Sequence, residues 1–225
     1  MKVKLEVKRS DPERYERYEL PYEEGDTLLT ALQKIKEEHD PSLSFRAFCR
    51  AGICGTCAVK VNGFPKLACR EQLRPYALTG EVIKVEPLDG FPVIKDLVVE
   101  TEGMVERAKN CELWVKPKQK NLPIPPEVNR KIEKGADCIL CFACQSYCPQ
   151  TREREYAGPL FFAKLHRFCH DPRDADAEKR LEEAFKGELY HCLSCDKCSS
   201  ACPKEVSPAD LIRELMTCKG LAQKS

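Results

Sequence analysis

Three stretches of this chain each carry four cysteines at fixed intervals. A backbone that must gather four thiolates onto one centre has few ways to run between them. Cys49, Cys54 and Cys57 form a C-x4-C-x2-C run that Cys69 completes. Cys138, Cys141, Cys144 and Cys148 follow as C-x2-C-x2-C-x3-C, with Pro149 next. Cys192, Cys195, Cys198 and Cys202 repeat that run 54 residues on, again followed by a proline, Pro203. Twelve of the fifteen cysteines are accounted for in this way.

The first spacing is that of plant-type ferredoxins and points to one [2Fe–2S] cluster. The other two are the runs of bacterial two-cluster ferredoxins and point to two [4Fe–4S] clusters. In those proteins the fourth cysteine of each run serves the other cluster. By that rule Cys138, Cys141, Cys144 and Cys202 hold one cube, and Cys192, Cys195, Cys198 and Cys148 the other. Thiolates are soft donors suited to iron–sulfur cores. Structural zinc is the competing reading, since C-x2-C pairs also build zinc sites; it would make the chain a zinc-stapled interaction module. The x4 and x2 gaps and the Cys-Pro endings are not zinc-ribbon spacing.

Composition narrows the class. With 37 basic against 36 acidic residues among 225, no charge excess speaks for nucleic acid or an acidic substrate. No apolar run reaches the length of a membrane span. The opening Met1-Lys2-Val3-Lys4-Leu5 alternates instead of building the apolar segment of an export signal. Reduced thiolates in a cytoplasmic protein are therefore expected, rather than a disulfide scaffold. No nucleophile–base–acid set and no Gly-rich nucleotide fingerprint is visible, so no substrate chemistry is expected in this chain.

The hydrophobic pattern divides the chain into an α+β part and a helical part. Residues 1–105 read as a plant-type [2Fe–2S] domain of β-grasp form. Strands are expected over Lys2–Lys8, Tyr15–Pro21, Ala58–Val61, Lys66–Ala68 and Glu81–Glu86, and Asn62-Gly63 signals a hairpin. Leu28, Leu29, Ala31, Leu32 and Ile35 mark one face of a helix stopped at His39-Asp40-Pro41. A helix-like pattern covers Val93–Trp114. Residues 106–130 form a connector, its segment Lys116–Arg130 stiffened by Pro117, Pro123, Pro125 and Pro126. Residues 131–225 form an all-α domain with helices over Glu178–Phe185 and Pro208–Met216, resembling the bacterial two-cluster ferredoxins.

Small residues between the first ligands (Gly52, Gly55) let backbone N–H groups face sulfur. Such bonds, and the nearby Arg46, Arg50 and Arg70, raise a cluster's potential. Ile139, Leu140, Phe142 and Ala143 are expected to keep water from the second run. Cys111, Cys169 and Cys218 read as small buried hydrophobes. His39, His166 and His170 stand at no ligand spacing. His191, beside Cys192, is the histidine placed for a role next to a ligand. Arg152–Glu155 reads as a solvated charged stretch.

The cysteine framework, with Ser44-Phe45-Arg46 ahead of Cys49-Arg50-Ala51-Gly52-Ile53-Cys54-Gly55, resembles the iron–sulfur subunit of succinate dehydrogenase and fumarate reductase. Asn62-Gly63 before Leu67-Ala68-Cys69, Cys138-Ile139-Leu140-Cys141, Gly158-Pro159 and Asp171-Pro172-Arg173-Asp174 fit the same family. The resemblance covers about residues 1–218. It implies electron transfer between a flavoprotein subunit carrying FAD and a quinone- or thiol-linked partner. That partner is a membrane-anchor subunit or a thiol/disulfide-handling one, with this chain peripheral on the inner face of the membrane. The alternative is the iron–sulfur subunit of another flavin dehydrogenase or of a heterodisulfide-type complex. Most members replace the second cysteine of the last run by an apolar residue and carry a [3Fe–4S] cluster; Cys195 here implies a [4Fe–4S] cluster of lower potential. The family's quinone-pocket Trp and His are replaced by Thr151-Arg152 and Leu193.

Overall fold

The computed structural model describes residues 1–119, 121–153 and 155–218. These fall into two compact units: residues 1–100 with 139–146, and residues 101–138 with 147 onward.

The first unit is built on a five-stranded mixed sheet. Strand β1 (Lys2–Ser10) pairs antiparallel with β2 (Glu13–Pro21) along its whole length, from Lys2↔Pro21 to Ser10↔Glu13. Alternation puts Val3, Leu5 and Val7 on the buried face, as period-2 geometry requires. Helix α1 (Leu28–Lys34) starts in a reciprocal cap. Thr30 N–H donates to Thr27 Oγ1 (3.3 Å), and Thr27 N–H to Thr30 Oγ1 (2.9 Å), which satisfies two otherwise orphaned donors. A π-helical turn, Ile35–His39, continues it, ending where the His-Asp-Pro sequence stops it.

Strands β3 (Ala58–Val61) and β4 (Phe64–Leu67) form the expected hairpin, with Asn62 and Gly63 both at positive φ. A short helix α2 (Arg74–Thr79), unforeseen from periodicity, precedes β5 (Val82–Glu86). The order is β2-β1-β5-β3-β4, with β1 and β5 parallel. This is the β-grasp arrangement, with the apolar face of α1 (Leu28, Leu29, Ala31, Leu32) in the same core as the inner faces of the strands.

Arg9, only 5% exposed, closes the far end of β1. Its guanidinium meets Asp40, Glu16 (2.6 Å) and Asp96 (3.1 Å). Asp96 in turn accepts from Ser10 N–H (3.1 Å) and Ser44 N–H (2.9 Å). The segment leading into Cys49 is thereby fixed to the sheet.

The region 93–114 departs from the helix-like reading. Val93–Lys95 (β6) and Val98–Val99 (β7) pair antiparallel about Asp96, which lies at φ 50°, and only Glu102–Asn110 is helical (α3). Over so few residues the apolar positions 94, 97 and 98 satisfy either period. The buried carboxylate of Asp96, held by two backbone N–H groups, decides for the turn.

In the second unit the proline-rich stretch ends sooner than expected. Helix α4 (Pro126–Ala136) begins at Pro126, with Pro125 as its N-cap, because a proline at the first helical position gives up no hydrogen bond. Upstream, Lys118 N–H donates to Arg173 O (2.9 Å) and Ala175 N–H to Lys116 O (2.8 Å), pinning this end of the stretch to the helical unit.

Short helices α5 (Ala143–Tyr147) and α6 (Gln150–Glu153) follow the second cysteine run. Helix α7 (Pro159–His170) is the axis of the unit. On it pack α4, α8 (Ala177–Lys186) and α10 (Pro208–Thr217), while α9 (Lys197–Ser200) lies inside the third run. Gly135 of α4 approaches so closely that a Cβ there would stand 2.9 Å from Ala163 O.

Arg180 and Asp174, both fully buried, face each other at 3.5 Å. Arg180 also donates to the carbonyls of Cys111 and Trp114. Among the described residues no helix is long and apolar enough to cross a membrane.

Candidate iron–sulfur centres

The hairpin of the first unit sets the geometry of the first tetrad. Cys57 directly precedes β3 and Cys69 follows β4, and Ala68 N–H donates to Cys57 O at 3.0 Å. Two thiols are thus brought side by side and buried (5% and 7% exposed). The other two come from the preceding loop. Positive φ at Arg50, Gly52 and Gly55 turns its N–H groups inward, forming an anion-binding concavity. Cys49 Sγ accepts from Cys54 N–H (3.2 Å), Ile53 N–H (3.4 Å) and Ala51 N–H (3.5 Å), and Cys69 Sγ from Gly52 N–H (3.2 Å). Donors from Ala51 and its neighbours bring the Cys49 thiol down to about 6, whereas burial drives Cys57 up to about 12.

Gly55 has a second role. A Cβ there would stand 2.8 Å from Cys141 Cβ and 2.9 Å from both Cys141 Cα and Ile139 O. Glycine alone lets the first ligand loop lie against the segment bearing Cys141 and Cys144. In that segment Ala143 is fully buried and Cys141 and Cys144 nearly so, and Phe142 meets Phe91 edge-on at 5.6 Å. Leu140 departs from the expected shielding role: it is 50% exposed. Its φ of 54° turns it outward, in a conformation rare for residues other than glycine.

The repeat inferred from the cysteines is also written in the backbone. Leu140 and Phe142 bracket Cys141 at φ 54° and 62°, and Ser194 and Asp196 bracket Cys195 at φ 50° and 56°. In each copy a helix starts directly after the second of these bends: α5 at Ala143, α9 at Lys197. No propensity rule foretells a left-handed Leu or Phe, because side-chain sterics oppose it.

Cys148 from the second run and Cys192, Cys195 and Cys198 from the third line one cavity of the second unit. It holds about 340 Å³ of space, part of it open to solvent. Tyr156, Pro149, Leu193 and Ile212 complete much of its wall. Burial pushes the Cys198 thiol up to about 12 and raises Cys148. A cube bonds each thiolate through a different iron, so four thiols lining one open volume fit it. Four soft thiols in one wall suit an iron–sulfur core.

The remaining pair, Cys138 and Cys202, packs against Ala163, Val206 and Leu211. Cys202 Sγ accepts from Val206 N–H (3.4 Å), and Lys164 Nζ holds the carbonyls of Gly135 and Cys138, each at 3.1 Å.

Outside the tetrads, Cys111 is buried beside Glu183 (3.4 Å) and its thiol lies up at about 11 through burial. Cys169 is likewise raised by burial to about 12. Cys218 is partly exposed, 3.7 Å from His170 Nε2. His166 is wholly buried with its Nε2 2.8 Å from Glu214. The His39 ring lies 6.4 Å from that of Tyr18, tilted by 58°. His191 is partly exposed, with its Nδ1 3.3 Å from Glu188. In the charged stretch Arg152–Glu155, Arg152, Glu153 and Glu155 are exposed, and Arg154 lies outside the described residues. Thr151 donates to Cys148 O (2.8 Å), and Leu193 is 60% exposed.

A β-grasp ligand loop followed by a duplicated helical cysteine unit defines a multi-centre iron–sulfur protein. The family described as a 2Fe-2S iron-sulfur cluster binding domain matches residues 3–106, and that described as a 4Fe-4S dicluster domain matches residues 134–206. A fumarate reductase (CoM/CoB) subunit of Methanothermobacter marburgensis is 39% identical over 91% of this chain, which spans only 41% of that relative. The fumarate reductase iron-sulfur subunit of Escherichia coli is 34% identical, covering 94% of this chain and 91% of its own. A chain of the Mycobacterium smegmatis Sdh1 complex superposes with a TM-score of 0.89 at 25% identity, over 100% of this chain and 98% of that one. This chain belongs to the family of succinate dehydrogenase and fumarate reductase iron–sulfur subunits.

Proposed function

We propose that this chain is the electron-transfer subunit of a complex interconverting succinate and fumarate. It binds one [2Fe–2S] cluster through Cys49, Cys54, Cys57 and Cys69. It binds two [4Fe–4S] clusters, through Cys138, Cys141, Cys144 and Cys202, and through Cys148, Cys192, Cys195 and Cys198. The observation that carries this reading is the cavity walled by four thiols drawn from two cysteine runs. When bound, the clusters supply reversible one-electron steps; no residue of the chain makes or breaks substrate bonds. The protein's part is to hold the thiolates, aim N–H groups at their sulfurs and limit water.

The partner at the first centre is a flavoprotein carrying FAD. Beside this ligand loop Phe48 is 81% exposed and Ile53 66%, apolar area of the kind that marks a docking face. The partner beyond the last centre is a membrane-anchor subunit or a thiol/disulfide-handling one, with this chain peripheral to the cytoplasmic membrane face. Leu193 and Thr151-Arg152, in place of the His and Trp of the usual quinone pocket, favour the thiol-linked partner. The Methanothermobacter relative, named for CoM/CoB, supports the same choice.

Iron and acid-labile sulfide measured on anaerobically purified protein test the centres. Stoichiometric zinc without sulfide would end this reading in favour of a zinc-stapled module. Co-purification tests the complex. A flavoprotein partner that oxidises succinate or reduces fumarate is expected, and a partner inert to both would point to another flavin dehydrogenase.

A further inference from the structure

Tyr156 is a buried polar residue with no part in cluster ligation. It lies 5% exposed at the wall of the cavity formed by Cys148, Cys192, Cys195 and Cys198. Its ring is held by Phe162, which is fully buried, at 5.2 Å and 54°. The backbone that follows it is fixed as well. Ala157 N–H donates to Gly187 O (3.0 Å), and α7 begins two residues later at Pro159. The phenol is therefore delivered to one place, in the wall that Cys192 and Cys148 share with it. A buried tyrosine hydroxyl without a partner would be costly.

We propose that Tyr156 is a positioning and potential-setting residue for the last [4Fe–4S] centre, donating its phenol proton to Cys192 Sγ. This rests on the reading that Cys148, Cys192, Cys195 and Cys198 hold that centre. Hydrogen bonds to ligand sulfur tune such clusters. The donated bond disperses negative charge on sulfur and stabilises the reduced state more than the oxidised one. The surroundings favour a strong effect. The phenol is buried, so water does not compete for it, and the low local dielectric strengthens the bond. A chain with Cys195 retained carries the lower-potential cube at this station, and Tyr156 offsets part of that drop.

The test is Tyr156→Phe, which keeps the ring and its contact with Phe162 and removes one oxygen. On anaerobic protein loaded with all its centres, a redox titration followed by EPR is expected to move the last [4Fe–4S] centre to lower potential and leave the other two in place. Wild-type protein exchanged into D2O should show, by pulsed EPR, an exchangeable proton coupled to that centre; Tyr156→Phe should lack it. An unchanged potential, or an equal shift of all centres, overturns the tyrosine's role while the centre itself stands. Wild-type protein with the full iron and sulfide content of the other two centres and no third would overturn both. If Tyr156→Phe fails to load, the proton coupling in wild type decides alone: its absence overturns the proposal.

Discussion

Gly55→Ala should weaken the first unit far more than the same change at Gly63. Both glycines are at positive φ, 74° and 83°. Alanine in the left-handed region costs about 1–2 kcal/mol at either position. The surroundings differ: at Gly63 an added Cβ meets nothing within 4 Å, whereas at Gly55 it would lie 2.8–2.9 Å from Cys141 and the Ile139 carbonyl. Two of those three atoms are backbone and cannot swing aside. Forced overpacking of this kind costs about 1–3 kcal/mol more. With a urea m-value of about 3 kcal/mol per M, an extra 2 kcal/mol or so lowers the midpoint by about 0.7 M relative to Gly63→Ala. An anaerobic urea series on both variants measures this, read by visible circular dichroism of the [2Fe–2S] chromophore. Equal midpoints would refute the idea that the ligand loop lies against the Cys141 segment.

Other changes address separate links. Cys195→Ser should convert the last centre to a three-iron cluster, giving a [3Fe–4S] EPR signal in the oxidised protein; unaltered [4Fe–4S] spectra would show that Cys195 is not a ligand. Arg180→Met leaves Asp174 buried without its counter-charge and should cost about 3–5 kcal/mol in thermal or urea unfolding of the helical unit; Asp174→Asn on top should recover part of it. Burial holds the His166 imidazole down to about 4, against an unfolded value near 6.5, among Glu214, His170 and Lys131. Between those pH values the unfolded chain takes up a proton that the folded one refuses. Stability therefore falls on acidification through that window, by at most about 3 kcal/mol. His166→Phe should remove that part of the pH dependence in unfolding curves at pH 7, 5.5 and 4.

What could be read from the residue string was whatever chemistry or period forces locally. Three thiolates of each tetrad must lie within one loop's reach, so the cysteine framework is visible as spacing. Alternation and 3.6-residue patterning likewise exposed β1, β2, α1, the β3–β4 hairpin, α8 and α10. Decisions made by distant groups stayed hidden. Asp96 turns the chain because Ser10 and Ser44 present N–H groups to it, and Leu140 faces outward because the loop around Cys141 takes a left-handed bend. Tyr156 carried no signal at all: a tyrosine eight residues after Cys148 becomes interesting only when the fold walls it in beside Cys192.

The incorporation of residues 139–146 into the first unit has a consequence for synthesis. Ala143 and Cys141 belong to the same buried cluster as Leu32, Leu67 and Ile83. When the first hundred residues have left the ribosome, the β-grasp sheet can pair, but one side of its core still lacks its cover. That cover arrives only with residue 146. A nascent chain paused before that point, or a fragment cut at the apparent end of the sheet, would show apolar surface to chaperones and to its own copies.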